Sequence, residues 1–268
     1  MTAAAVFERT PLWRSLDEIP TGWGPCVLTV GVFDGVHRGH ARLIGRAQQI
    51  GQSLGLPTVL VTFDPHPARV LGMPRDTATL GTIDRRANIA GQLGIDAVCV
   101  LHFTAALAQV SAEDFVEKIL VGALHAAAVV VGANFTFGHR GTGDVAALQR
   151  LGQRHGFTAH SVGLLHEIDT PCSSTYIRSC LRSGDVSRAA RARGRPHRID
   201  GVLAAVGART YELAVLAHAA VPASGRYTGH AAGAPVEIEV TADGRVLVTG
   251  TRQALGRAAV DFLARTGN

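Results

Sequence analysis

The chain has 268 residues, and its 26 basic side chains against 21 acidic ones give a formal charge of +5. Of those 26, 25 are arginine and Lys118 alone is lysine. A P-loop, which needs a lysine beside its glycines, is therefore excluded. Lys118 lies in an amphipathic stretch, Ser111 to Leu124, and is no candidate for a Schiff base or nucleophile. Any phosphate chemistry falls to arginine, histidine, backbone N–H groups or a metal.

Length allows one or two domains at ~100–200 residues each, and 47% hydrophobic residues suffice for a sizeable core. The 31 glycines, about twice ordinary usage, imply many tight turns. Cys26, Cys99, Cys172 and Cys180 form no C-x-x-C, so reduced thiols in a cytoplasmic protein are expected rather than disulfides or a zinc knuckle. The N-terminal MTAAAVFERT carries Glu8 and no apolar run, unlike a signal peptide. The longest apolar stretch, Ile119 to Ala133, is interrupted by His125 and is too short to span a bilayer. A soluble protein is expected.

In chain order, Cys26 to Val30 reads as a strand, followed by a turn and a helix from His40 to Leu54. Thr58 to Phe63 is a buried strand, Ile83 to Leu93 a helix stopped by Gly94, and Ala97 to Phe103 a strand. Ser111 is the expected N-cap of a helix running to Leu124. Ala127 to Val131, Thr142 to His155 and Thr158 to Leu165 read as strand, helix and strand. Strands separated by helices predict an α/β fold with a parallel sheet covered on both faces. The pattern changes near residues 190–200. Beyond it Val236 to Val240 and Arg245 to Val248 flank Asp243-Gly244, a hairpin signal. Thr251 to Arg265 is expected to be a terminal helix. Two domains follow, 1–195 and 196–268, the second small and rich in β structure.

The charge is concentrated in Tyr176 to Asp200, where Arg178, Arg182, Arg188, Arg191, Arg193, Arg195 and Arg198 face only Asp185 and Asp200. Nucleic-acid binding is one reading. A solvated helix face beside a phosphate site is the other, and it is favoured because Tyr176 is the only aromatic residue among the arginines.

The segment that carries chemistry is Gly31 to His40, G-V-F-D-G-V-H-R-G-H. It leaves the first long strand and feeds a helix, where the sheet edge and helix N–H groups receive anions. Gly31, Gly35 and Gly39 allow close backbone approach, and His37 and His40 are spaced to point two imidazoles at one place. A metal pair or two surface histidines are the competing readings, but no further metal ligands are evident nearby.

These residues resemble the H-x-G-H motif of the nucleotidylyltransferase superfamily. The full segment is similar to the adenylyltransferase domain of prokaryotic bifunctional riboflavin kinase/FAD synthetases. Three more segments agree in order: Thr62 to Pro67 (T-F-D-P-H-P), Gly132 to Gly138 (G-A-N-F-T-F-G) and Ser173 to Arg178 (S-S-T-Y-I-R). Weaker matches at Leu101 to Thr104 and Gly184 to Val186 extend the resemblance over about residues 12–200. It implies a Rossmann-like nucleotidyltransferase that moves AMP from ATP to FMN with Mg²⁺, giving FAD and pyrophosphate. By resemblance His37, His40 and Arg178 act on the triphosphate. Gly31, Phe33, Asp34, Gly35, Gly39, Ser173, Ser174 and Thr175 line the nucleotide, though S-S-T also reads as plain helix capping. Asp64, Pro65, His66, Asn134 and Phe135 would line the FMN pocket. His66 also reads as a turn residue, and Phe135 and Phe137 as core. The remaining histidines receive no role. No residue is assigned as a metal ligand, and the expected partners are small-molecule substrates, with no membrane and no favoured nucleic acid.

The family's second module is a riboflavin kinase barrel marked by a G-F-P-T-A-N segment. Gly194 to Pro196 and Gly201-Val202 match its entry, but Val206 to Leu213 (V-G-A-R-T-Y-E-L) contains no P-T-A-N. A degenerate module without riboflavin kinase activity is expected. Transfer to a different phosphorylated acceptor, and a non-catalytic flavin- or nucleotide-binding regulator, are the competing functions. The presence of His37, His40, Ser174 and Arg178 speaks against the regulator.

Overall fold

The computed structural model describes residues 10–167, 170–250 and 253–267. The first nine, on which the signal-peptide reading rests, lie outside them, as do residues 251 and 252 of the expected terminal helix. Contacts divide the chain into two compact units. The first runs to Phe33 and adds His40–Arg75 and Ile83–Leu164; the second combines Asp34–Gly39, Asp76–Thr82 and the chain from Leu165 onward.

The first unit is built on six parallel strands in the order β1-β4-β3-β2-β5-β6. They are β1 (Leu12–Trp13), β2 (Cys26–Val30), β3 (Thr58–Asp64), β4 (Ala97–His102), β5 (Ala126–Gly132) and β6 (Thr158–Val162). Their Val-rich, unbroken apolar runs mark strands buried on both faces, and β2 (C-V-L-T-V) is buried at every position. Along it the side chains alternate. Val27 packs with Ala47 and Ile50 of α1 (Arg38–Leu54), whereas Cys26, Leu28 and Val30 pack with Phe115, Leu120 and Leu148 on the opposite face. The latter come from the helical segment Ala112–Ala123, which is α4 (Ala112–Asp114) followed by a π-helical stretch, and from α5 (Val145–His155). Ser111 caps α4 as expected, accepting the Asp114 N–H at 3.0 Å. Short α2 (Pro67–Val70) and α3 (Ile83–Gln92) complete the unit. The chain moves outward from β2 to β3 and β4, then returns to β5 and β6 on the other side. The switch point lies between β2 and β5, where open α/β sheets bind ligands.

The second unit holds the hairpin β7 (His166–Glu167) and β8 (Thr170–Pro171), then α6 (Ser174–Arg182) and α7 (Val186–Arg193). Six antiparallel strands follow: β9 (His197–Ala205), β10 (Thr210–Val215), β11 (Gly225–Ala231), β12 (Ala234–Val240), β13 (Val246–Gly250) and β14 (Gly256–Arg265). They close into a barrel in the order β10-β13-β12-β11-β14-β9. Inward residues recur at every second position, Val236, Ile238 and Val240 on β12 and Val260 and Phe262 on β14 among them. They join Leu80, Ile177, Leu181, Val186 and Ala189 in a single core cluster. The Asp243-Gly244 turn does connect a hairpin, β12 to β13.

Two expectations need correction. The stretch expected as a terminal helix is β14, which pairs with β9 and β11 and closes the barrel. Its alanines, Ala258, Ala259 and Ala264, favour helix locally, but Val260 and Phe262 at period two follow the barrel interior. The arginine-rich stretch is also not one solvated helix face. Gly184, at φ 77°, ends α6, Asp185 caps α7, and Arg178 and Arg193 are buried while Arg182, Arg188 and Arg191 are exposed. Among the described residues no helix is long and apolar enough to cross a membrane.

Candidate functional site

The second unit holds Asp34, Gly35, His37, Gly39, Ser173, Ser174, Thr175 and Arg178, and the first holds the other expected site residues. Each set is described in its own unit.

In the second unit the turn Asp34–Gly39 is gripped from several directions. The buried Asp34 carboxylate accepts the Leu80 N–H at 3.0 Å and pairs with the buried Arg178 guanidinium, whose Nε donates to the Ala78 carbonyl at 2.6 Å. Ser174 Oγ donates to the Asp34 carbonyl at 2.9 Å. Arg195 donates to the carbonyls of Gly35 and Val36, the latter at 3.0 Å, and to that of Arg193 at 3.1 Å. Arg193 donates to the Leu80 carbonyl at 3.1 Å and meets His197. Gly35 has φ +77°, and a Cβ there would lie 2.8 Å from the Leu80 Cβ, so a side chain is excluded twice over.

His37 is buried at the end of this turn, its Nδ1 3.9 Å from Cys172 Sγ. Burial first, and then the charges of Arg195, Arg193 and Arg178, pull its pKa from 6.5 down to about 3. The imidazole is thus neutral across the physiological range. Ser173 is the N-cap of α6, accepting the Tyr176 N–H at 3.2 Å, and Thr175 is exposed in the first turn. The helix-capping reading of S-S-T therefore holds for Ser173, while Ser174 reaches the turn. Arg178, expected to meet phosphate, has its guanidinium on Asp34 and Ala78.

In the first unit the expected residues collect at the carboxyl ends of three adjacent strands. Gly31 follows β2, Asp64 ends β3 and Asn134 follows β5. The Gly31 N–H donates to the Val61 carbonyl at 3.1 Å and Thr62 Oγ1 to the Val32 carbonyl at 2.7 Å, tying the exit of β2 to β3. Phe33 is buried at φ 50°, with its ring 4.9 Å from that of His40, which sits in the first turn of α1. His66 is the N-cap of α2, its Nδ1 accepting the Ala68 N–H at 3.1 Å, and Pro65 precedes it. Asp64 and Asn134 are exposed, and Phe135 stacks on buried Phe137 at 5.5 Å. Phe137 is core, packed with Phe115.

Sequence reasoning missed the role of residues 76–82, Cys172, Arg193 and Arg195 around the turn, and of Arg86, whose buried guanidinium donates to Thr62 Oγ1 at 2.7 Å. Arg193 and Arg195 had a signal only as members of the arginine-rich run, and Arg195 also as part of the module-entry motif, which pointed to the barrel instead.

With this geometry described, the relatives can be compared. The family model for FAD synthetase matches residues 19–176. The chain belongs to the FAD synthetase family. A bifunctional riboflavin kinase/FMN adenylyltransferase of Pseudomonas fluorescens is 38% identical over 190 residues, 71% of this chain and 61% of that protein. The Bacillus subtilis (strain 168) protein of that name is 36% identical over 179 residues, 66% of this chain and 56% of its own length. The chain thus aligns with about three fifths of these relatives. Among solved structures, a macrolide-efflux protein from Streptococcus pneumoniae has a TM-score of 0.84 at 23% identity, covering 97% of this chain and 91% of that one. That likeness shows a shared fold reaching through the barrel. The family model stops at 176, so it covers the S-S-T helix start but not Arg178, Arg193 or Arg195.

Proposed function

We propose that this protein is an FMN adenylyltransferase, forming FAD and pyrophosphate from FMN and ATP, and that it lacks riboflavin kinase activity. The observation that carries the reading is the H-x-G-H segment at the exit of β2, with His37 buried and held neutral. An FMN phosphate oxygen attacks the α-phosphorus of ATP, the new P–O bond forms as the bond to the β-phosphate oxygen breaks, and pyrophosphate leaves. Such a reaction asks the protein for positioning and charge stabilisation rather than covalent work. By resemblance to the family, His37 and His40 are assigned to the triphosphate, and Gly31, Gly35, Gly39, Ser173, Ser174 and Thr175 to the nucleotide. Arg178 serves by fixing Asp34. Asp64, Pro65, His66, Asn134 and Phe135 form the acceptor side. The imidazole, hydroxyl and N–H donors of the turn and α6 suit phosphate oxygens. Mg²⁺, which prefers oxygen ligands, would be held by the phosphate oxygens of ATP and would offset their charge.

We assign adenylyl transfer to residues 1–195 and treat 196–268 as a reduced kinase-type barrel. The support is local. Residues 206–209, where the kinase marker would begin, close a tight hairpin with the Val206 and Gly207 N–H groups both on the Thr210 carbonyl at 3.0 Å. The four residues of that turn, Val206 to Arg209, include neither a threonine nor an asparagine. We also assign the protein to the cytoplasm, where ATP and FMN are available and thiols stay reduced.

The test is chromatographic. Protein, ATP, Mg²⁺ and FMN should yield FAD and pyrophosphate in equal amounts, and riboflavin in place of FMN should yield no FMN. Absence of FAD overturns the first claim, and appreciable FMN overturns the second.

A further inference from the structure

Two non-glycine residues of the turn region, Phe33 at φ 50° and Val36 at φ 36°, sit in left-handed backbone space. For the β-branched Val36 this conformation is strained and persists only where its surroundings over-determine it. Val36 itself lies in the second unit, and its surroundings there are specific. The three successive carbonyls of Asp34, Gly35 and Val36 are all occupied by side chains that follow the Cys172 segment in the chain. Ser174 takes the first and Arg195 takes the other two.

The peptide bonds following these residues are trans, so each carbonyl and the next N–H point in opposite directions. Fixing the carbonyls of Gly35 and Val36 on the guanidinium therefore directs the N–H groups of Val36 and His37 away from it. A row of N–H groups held on one side of a turn is an anion-binding concavity. Arg195 follows α7, whose C-cap is Gly194 in the left-handed conformation, and its own N–H is bonded to the Ala190 carbonyl at 3.1 Å. The fork thus springs from a backbone that is itself pinned. Its planar donors meet the two carbonyls in a fixed geometry, whereas an ammonium's donors rotate on a flexible stem.

We propose that Arg195 is a positioning residue for nucleotide binding: by holding the carbonyls of Gly35 and Val36 it sets the anion-binding side of the H-x-G-H turn. It acts through the backbone and is not a catalytic residue. The inference rests on the reading of the turn as the triphosphate site.

The experiment compares wild-type protein with Arg195→Ala and Arg195→Lys, by calorimetric binding of a non-hydrolysable ATP analogue and by steady-state pyrophosphate release. In Arg195→Ala the analogue's dissociation constant and the KM for ATP should rise about tenfold or more, as expected for losing charge-assisted hydrogen bonds to the turn. The KM for FMN should stay within about threefold of wild type, and Arg195→Lys should recover only part of the ATP affinity. An Arg195 that merely ends α7 would lower the melting temperature and leave ATP affinity unchanged well below it. That result overturns the proposal, and in the event that Arg195→Ala fails to fold, wild-type affinity in Arg195→Lys overturns it equally. Wild-type protein that binds the analogue without turning over FMN refutes the acceptor assignment alone, and the affinity series still decides the role of Arg195. Wild-type protein that binds no ATP analogue overturns both.

Discussion

His37 is the residue whose environment departs furthest from what its sequence position announces. Burial and the neighbouring Arg195, Arg193 and Arg178 hold it neutral, with a pKa near 3 in place of 6.5. The sign of the consequence follows from linkage. Below pH 6.5 the unfolded chain binds a proton that the folded one refuses, so stability falls as pH drops toward 3 and is unaffected by this group above 6.5. Between pH 7.5 and pH 5 the wild type should lose about 2 kcal/mol on this account, and His37→Gln should lose correspondingly less in denaturant unfolding at the two values. Equal losses in both proteins would place the titration elsewhere. Turnover should show no acid limb from His37 between pH 5 and 8. His40→Ala should lower turnover by ~10²-fold with little change in stability, as for a donor to developing charge. Arg178→Ala should also lower turnover by ~10²-fold, but with a different signature. It leaves the Asp34 carboxylate buried without its cation, and breaking such a pair costs about 3–5 kcal/mol. A large loss of activity with unchanged thermal stability would return Arg178 to direct phosphate contact.

At the scale of elements, the start of α6 combines capping and site construction in consecutive residues. Ser173 satisfies the Tyr176 N–H and Ser174 holds the Asp34 carbonyl. Ser173→Ala should cost about 1 kcal/mol of stability with modest change in KM for ATP, whereas Ser174→Ala should raise that KM. The two variants in the same thermal-melt and kinetic assays separate the roles, and indistinguishable kinetics would dissolve the distinction. Apart from the two-residue β1, the elements of the parallel sheet were legible because their apolar runs and helix stops are local signals, as in Thr58–Asp64 and the stop at Gly94. β14 was not. Its alanines read as helix in isolation, and the inward direction of Val260 and Phe262 exists only because β9 and β11 are there to pair with it.

At the scale of the molecule, the barrel is not an appendage to the turn's unit. Leu80, Ile177, Leu181, Val186, Val260 and Phe262 belong to one core cluster, and Thr79 donates to His218 at 2.7 Å while Ala220 donates back to Thr79 at 2.9 Å. A chain ended after Pro196 should therefore expose that cluster, melt at lower temperature and lose ATP binding. Retention of wild-type ATP affinity by the truncated chain would show that the turn stands without the barrel. We place a boundary at 195/196 only as a proposal about where the chemistry lies, whereas the packing division follows the core and groups Asp34–Gly39 and Asp76–Thr82 with the barrel. The single lysine, the glycine turn with its two histidines and the ordered motifs were properties of the sequence alone, because each is a matter of residue identity and short spacing. They sufficed for the family and for the proposed chemistry. The neutrality of His37, the grip of Arg195 on two carbonyls and the pairing of Asp34 with Arg178 join residues up to 160 positions apart. Local sequence carries no record of such distances, so only the folded chain decided them.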